Sequence, residues 1–441
     1  MKKHFTLAPI FTDNMVFQAN KVIRIFGECK KGIEISIIFL DQEISFKSRS
    51  NEFLVELDAV PVHEKGFSFT VYTKKQEVTI YNCLAGEVFL FAGGQNINLA
   101  LKDSYHEDNY ENCNVRFLDL NQGLDQNLEF KNEIKWDVCG KTSLENASAL
   151  GYLFAKHLHT KVTSPIGIIS CNHKEATIFS WLSTRDISTH LAIDKYTKSA
   201  KNTVTEIELN TSKLYDELIT KIINLSLKAV IFYQGESDYP HSDLYESAII
   251  RIIKSFRINF KDPELPFIIT QIAGYEYPDS DDESICKIRS VQSALMDETK
   301  KVYIASAVDL GEENNPSPKD KLIIAKRITN VVLEKIFKIG KNSISPAYYS
   351  YQRHKDGLVI YTQNNYLNLV SRSNQNLGFT YTSNGKDYLD VKNIDILNNR
   401  IVIKDIENIK EIRYNFKKYP FCDIYTTNEL PLLPFRIYLI D

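Results

Sequence analysis

The sequence predicts an α/β fold in which a parallel sheet flanked by helices lies between an N-terminal and a C-terminal β domain. Three observations predict it. Residues 4 to about 84 carry short, partly alternating apolar segments between Gly, Asp and Asn turns. From 85 to 338 apolar strands alternate with helical periodicity, the pattern of a parallel sheet with helices on both faces. Beyond residue 340 the helical period disappears in a stretch rich in Tyr, Asn and Ile. The expected domains are 1–84, a small β-sandwich; 85–338, the α/β domain; and 339–441, a second β domain. A chain of 441 residues with 43% hydrophobic content can bury more than one core.

Taken in order, Val22-Ile23-Arg24-Ile25-Phe26, Ile33 to Phe39 and Val78-Thr79-Ile80-Tyr81 supply the first strands. The expected sheet strands are 87–92, 115–118, 166–170, 229–233, 267–272 and 302–308. Ala149, Leu150, Leu153, Phe154 and Leu158 recur at three- and four-residue spacing and predict a helix over 145–159; residues 211–225 behave similarly. A further helix over 284–298 carries Arg289 and Gln292, expected to pair with neighbouring polar groups. Turns are expected at Ser383-Asn384-Gly385 and Asn398-Asn399. Tyr348, Tyr349 and Tyr351 suggest either a sugar-stacking platform or the ordinary preference of strands for tyrosine.

Composition removes several function classes. A formal net charge of -3 with interspersed signs provides no basic field, so no nucleic acid partner is expected. Lys2 and Lys3 are followed by Asp13 and Asn14 before an apolar core develops, and no apolar run reaches membrane-spanning length, so neither a leader nor a membrane is expected. Seven irregularly placed cysteines without a CxxC pair read as reduced thiols, and the expected location is cytoplasmic. No zinc-ligand spacing, phosphate loop or dinucleotide fingerprint is visible, so no metal and no cofactor is expected.

The most informative stretch is Gly86 to Asn96, an apolar run entering the turn Gly93-Gly94-Gln95-Asn96. Only glycine tolerates so sharp a turn, and such turns deliver a side chain to the carboxyl edge of a parallel sheet. Val230-Ile231-Phe232-Tyr233-Gln234-Gly235-Glu236-Ser237-Asp238 is a second strand breaking into a polar turn, followed by Leu265-Pro266-Phe267 through Gln271-Ile272-Ala273-Gly274-Tyr275. With the opening Pro9 to Gln18 and the closing Ile412-Arg413-Tyr414 and Asn428 to Arg436, these segments resemble, end to end, the sialate O-acetylesterase family, a carbohydrate-esterase branch of the SGNH hydrolases. The resemblance implies an SGNH-hydrolase-like sheet and an acetylated sugar or sialic acid as ligand.

It also implies where catalytic groups should stand. The family's serine falls at Gln95, its aspartate at Asn315 and its histidine at Ser317, while the Trp-Gly-Gly stretch of its oxyanion site falls at His173-Lys174-Glu175. A glutamine amide is no acyl acceptor, and a serine hydroxyl does not take a proton near neutral pH as imidazole does. Gly94, Gln95, Asn96, His173, Gln234, Glu236 and Asp238 are the cleft and ligand candidates, although the glycine turn also reads as a plain strand-to-helix connection, Asn96 as a hydrogen bond within that turn, Glu236 as a structural carboxylate, and Gln234 and Asp238 as satisfiers of loop amides. Three functions follow: a non-hydrolytic esterase relative with a residual sugar-binding cleft; an active O-acetylesterase whose nucleophile is relocated to Ser104, Ser170 or Ser180 beside His173 or His241; and a scaffolding protein working through its β domains.

Overall fold

The structure, a computed structural model, describes residues 4–106, 110–140, 144–200, 211–278, 280–354, 357–363, 367–375 and 377–439. Lys2 and Lys3 lie outside the described residues. The chain divides into two compact units: one takes residues up to Phe232 with Ala248–Phe267 and Lys319–Lys321, the other Tyr233–Ser247, Ile268–Pro318 and Leu322 onward.

In the first unit the strands Phe5–Leu7, Ile23–Cys29 and Glu52–Leu57 form one antiparallel sheet. Glu34–Phe39, Gln42–Lys47 and His63–Tyr72 pair in a second, which joins the strand Glu77–Gly93. Phenylalanines fill the space between the layers: Phe26–Phe11, Phe11–Phe69 and Phe69–Phe39 have ring centroids 5.2, 5.9 and 5.8 Å apart. Such aromatic pairs add directional contacts to the burial of large apolar surfaces.

Glu77–Gly93 is a single strand of 17 residues that serves two purposes. Its first part pairs antiparallel with His63–Tyr72, and its second runs parallel to Ile166–Asn172 from Glu87 to Gly93, so residues 84 and 85 lie mid-strand. The strand order in this unit is Trp136–Cys139, Asn112–Asp119, Ile166–Asn172, Glu77–Gly93, Ala229–Tyr233. All seven residues of Ile166–Asn172 are buried, as befits a parallel strand covered on both faces. The helix Ala149–His159 covers one face, with Phe154 5.0 Å from Phe89 and 5.2 Å from Phe91.

Two elements differ from expectation. The sheet is mixed, because Trp136–Cys139 runs antiparallel to Asn112–Asp119; four residues of mixed polarity at an edge carry too little periodicity to read. The helix expected over 211–225 is a short helix Lys213–Glu217 followed by a 3-10 turn Ile219–Lys221. Its apolar residues face the core without a continuous helical ladder.

The opening signature acquires a physical role here. Gln18 accepts from Val88 N (2.8 Å) and donates to the buried Glu87 Oε2 (3.0 Å), which also pairs with Lys228 Nζ at 3.0 Å. Gln18 therefore fixes the start of the stretch that ends in the Gly93 turn. Gln18→Ala would leave a buried N–H and a buried carboxylate without one partner each. We expect it to lower stability by about 2–4 kcal/mol in urea unfolding, and an unchanged midpoint would refute this role.

In the second unit Phe267–Gln271 and Val302–Ser306 lie side by side, with the helices Asp282–Glu298 and Leu322–Val332. From residue 348 every described element is a strand. One sheet has the order Tyr348–His354, Gly357–Thr362, Arg400–Lys404, Ile394–Leu397, another Leu389–Asp390, Phe379–Thr382, Glu411–Tyr414, Phe435–Tyr438. They share a core of Leu358, Ile360, Phe379, Ile401, Ile412, Tyr414 and Phe435. Tyr348 and Tyr351 pack against that core, whereas Tyr349 is exposed. The expected turns at 383–385 and 398–399 connect consecutive strands.

Candidate functional site

In the first unit the strand Glu77–Gly93 ends in the glycine pair and passes into a single helical turn, Gln95–Asn98. Gln95 is half-buried, whereas Asn96 and Ile97 are buried. Asn96 Oδ1 accepts a 2.6 Å hydrogen bond from Nζ of Lys321, itself only 2% exposed. A buried ammonium requires such a partner, because desolvation penalises its charged form. Asn96 is thus committed to holding a cation beside the turn.

His173 stands where Ile166–Asn172 ends, and Asn172 is in register with Gly93. His173 N donates to Gly93 O (3.2 Å), and its Nδ1 accepts from Glu175 N (3.3 Å). Burial lowers the imidazole's affinity for protons, so the ring is neutral near pH 7. Beneath the turn runs a chain of amides: Asn98 Nδ2 donates to Asn172 Oδ1 (2.5 Å), Asn172 Nδ2 to Ser170 Oγ (2.9 Å), and Asn172 N to Asn121 Oδ1 (3.2 Å). Ser170, a candidate relocated nucleophile, is an acceptor in this chain. Ser104 Oγ donates to Leu101 O at 2.7 Å and accepts from His106 N at 3.2 Å, an arrangement that closes a 3-10 turn.

Asp119 anchors the far end of the chain, accepting from Asn121 N at 3.0 Å. Burial pushes its carboxyl up to about 6, with Asn121 pulling the other way and Asp137 adding to the rise. The folded state therefore favours the protonated form. The stability this group contributes is fully present below its unfolded pKa near 4 and is lost as pH rises through 6. We expect Asp119→Asn to stabilise the protein by about 2–3 kcal/mol at pH 8 while leaving it nearly unchanged at pH 4. Urea midpoints at the two pH values measure this; equal effects at both would contradict it.

In the second unit Tyr233 leads into Gln234 to Asp238, all buried except Ser237. Gln234 Nε2 donates to Asp238 Oδ2 (2.8 Å), and its carbonyl accepts from Tyr245 OH (2.7 Å) and Gln292 Nε2 (3.0 Å). Gln292 Oε1 accepts from Ile272 N at 3.1 Å, which ties the turn to the end of Phe267–Gln271. Gly235 has φ +149°, and a Cβ there would lie 2.9 Å from Ile272 Cγ2 and 3.1 Å from Ile288 Cγ2. Only glycine fits. Glu236 is buried; burial first, and then its negative charge, raise the pKa of Tyr233 and Tyr277. His241, the other candidate base, has its proton affinity lowered by burial.

Asn315 and Ser317 occupy the loop after Val302–Ser306. Asn315 Nδ2 donates to Glu312 Oε2 (2.9 Å), and its Oδ1 accepts from Ser317 N (3.0 Å). The preceding carboxylate, Asp309, is held by both nitrogens of Arg327 (2.6 and 2.8 Å) and by Tyr425 OH (3.2 Å). Between Asp309 and Pro318 the sequence has no histidine. The structure thus gathers Gly94, Gln95, Asn96 and His173 around one turn in the first unit. In the second it gathers Gln234, Glu236 and Asp238 in one turn and Asn315 with Ser317 in another. Lys321 and the asparagine chain were not visible to sequence reasoning, because isolated polar residues at loop positions carry no periodic signal. Among the described residues no group of three His, Cys, Asp or Glu could hold a metal ion, and no helix is long and apolar enough to cross a membrane.

Comparison with known proteins adds three findings. A family model described as carbohydrate esterase, sialic acid-specific acetylesterase, matches residues 86–317. Sialate O-acetylesterases of Pongo abelii and Homo sapiens are each 23% identical, over 74% of this chain and 69% of theirs. The structure of a carbohydrate acetylesterase from Xanthomonas citri has a TM-score of 0.86 at 18% identity, over 99% of this chain and 100% of that one. That likeness establishes the SGNH-like fold, a mixed sheet with flanking helices and additional C-terminal β structure.

Proposed function

This chain belongs to the carbohydrate esterases of the sialic acid-specific acetylesterase family, and we propose that it binds an O-acetylated or plain sugar without hydrolysing it. One observation carries the reading: the side chain at the tip of the Gly93-Gly94 turn is an amide, Gln95, which offers hydrogen bonds but no oxygen able to attack an acyl carbon. The second catalytic loop supports it, since Asn315 and Ser317 bond to Glu312 and to each other in a loop without imidazole. A nucleophile relocated to Ser104 or Ser170 finds little support, because Ser104 Oγ donates within a local turn and Ser170 Oγ accepts from Asn172, while Ser180 is buried. The cysteine pattern, seven thiols free of disulfides, supports a reducing, cytoplasmic setting for this activity.

Titration with the methyl glycoside of 9-O-acetyl-N-acetylneuraminic acid, followed by NMR, tests the proposal. Saturable binding with the acetyl ester recovered intact is expected. Loss of the ester during the titration, or no binding at millimolar sugar, would overturn it.

A further inference from the structure

Within the second unit, the carboxyl ends of Phe267–Gln271 and Val302–Ser306 are covered by a loop from the C-terminal β region, Lys417 to Phe421. Its backbone is pinned from several sides. The buried Arg289 donates from Nη1 to Lys417 O (2.7 Å) and from Nη2 to Lys418 O (2.8 Å). Tyr275 N donates to Lys418 O (3.2 Å), and Lys418 N to Asp282 Oδ1 (2.6 Å). A Cβ on Gly274 would lie 3.1 Å from both Pro420 Cδ and Tyr419 Cδ2, so the missing side chain makes room for the loop at the strand end.

The side chains this anchored loop holds outward are aromatic. Tyr419 is 39% exposed and Phe421 67% exposed, and among the described residues neither makes a ring contact. A mobile loop can fold such rings away; a loop fixed by four backbone hydrogen bonds keeps them in water at a standing cost. Lys418, which precedes Tyr419 in the loop, has its Nζ 3.2 Å from Glu276 Oε2, and Glu276 N donates to Glu313 O (3.0 Å). Flat apolar rings next to mixed carboxylate and ammonium groups suit a ligand with one apolar C–H face and a rim of hydroxyls. A charged peptide would meet both signs of charge at once.

We propose that Tyr419 and Phe421 are the stacking wall for a sugar ring at this sheet edge, with Glu276, Glu313 and Lys418 as partners for its hydroxyls. The inference rests on the sugar-binding reading above and adds which residues choose the ligand. Each ring stacked on the C–H face contributes a modest factor, and the pair together about tenfold in affinity.

The test is saturation-transfer NMR and titration with the methyl glycoside of 9-O-acetyl-N-acetylneuraminic acid, on the full chain and on Tyr419→Ala/Phe421→Ala. Binding about tenfold weaker in the double variant, an unchanged unfolding midpoint, and affinity retained in Phe421→Trp are the expected results. If the unaltered chain binds and the double variant binds equally well, the stacking wall is wrong and the sugar-binding reading stands. If the unaltered chain binds no sugar, both fall.

Discussion

Incubated with an aryl acetate or with 9-O-acetylated sialic acid, the protein should release no acetate above a buffer control, and a serine-directed fluorophosphonate should leave it unlabelled. Loss of a nucleophile or base costs a serine hydrolase about 10⁶ in turnover, leaving roughly 10³–10⁴ over water from binding and oxyanion donors. By the family resemblance a third contribution would be reduced as well, because Lys174 and Glu175 fall where the family has glycines that let a backbone N–H approach the developing oxyanion. Gln95→Ser alone should therefore recover nothing, since the family's base position holds Ser317 and the imidazole at this turn, His173, already accepts from Glu175 N through Nδ1. Gln95→Ser/Asn315→Asp/Ser317→His returns the family's residue at each of the three aligned positions and tests that alignment, with measurable turnover as the expected result. Glu312 complicates this restoration: its Oε2 lies 2.9 Å from Asn315 Nδ2, so Asn315→Asp would set two carboxylates against each other and force one to hold a proton. Adding Glu312→Gln should raise the recovered rate further. Robust hydrolysis by the unaltered chain, abolished by a single Ser→Ala change, would replace this account with that of a relocated nucleophile.

The sheet strands were legible because burial on both faces writes an uninterrupted apolar run, as in Ala229–Tyr233, which the structure places at the residues expected. The turn chemistry at Gly93-Gly94 and Gln234-Gly235 was legible for a similar reason, since glycine at a strand end has few other uses. What could not be read was the matching of partners across distance. Nothing near Lys321 announces that its amine finishes 2.6 Å from Asn96, 225 residues away, nor does Gln18 announce its hold on Val88 and Glu87. The edge strand Trp136–Cys139 was invisible because four residues are too few to set a period. Arg289 and Gln292 were expected to pair with polar neighbours, but that the neighbours are backbone carbonyls and amides at a strand end follows only from coordinates.

Arg289→Ala should cost about 3–5 kcal/mol of stability, the largest loss expected from any single change in the second unit. The side chain is fully buried and serves four carbonyls: Ile272 (3.2 Å), Ala273 (2.8 Å), Lys417 (2.7 Å) and Lys418 (2.8 Å). Two belong to the chain leaving a sheet strand and two to a loop more than a hundred residues later, so one guanidinium replaces the ladder that strands would otherwise provide. Truncation would take a donor from all four acceptors; Ile272 and Ala273 lie buried and Lys418 O would keep only Tyr275 N, and a buried acceptor without a donor loses its full solvation. Arg289→Lys should recover less than half of the loss, because an ammonium at the end of a flexible stem cannot present donors in the planar fork these carbonyls require. The same change should release the loop that carries Tyr419 and Phe421, so trypsin should cut after Lys417 or Lys418 in Arg289→Ala under conditions that leave the unaltered chain whole. Urea unfolding and limited proteolysis read the two effects separately. A midpoint that moves without new cleavage would leave Arg289 a core residue with no hold on the aromatic loop, whereas neither effect would mean that the four carbonyls find other donors.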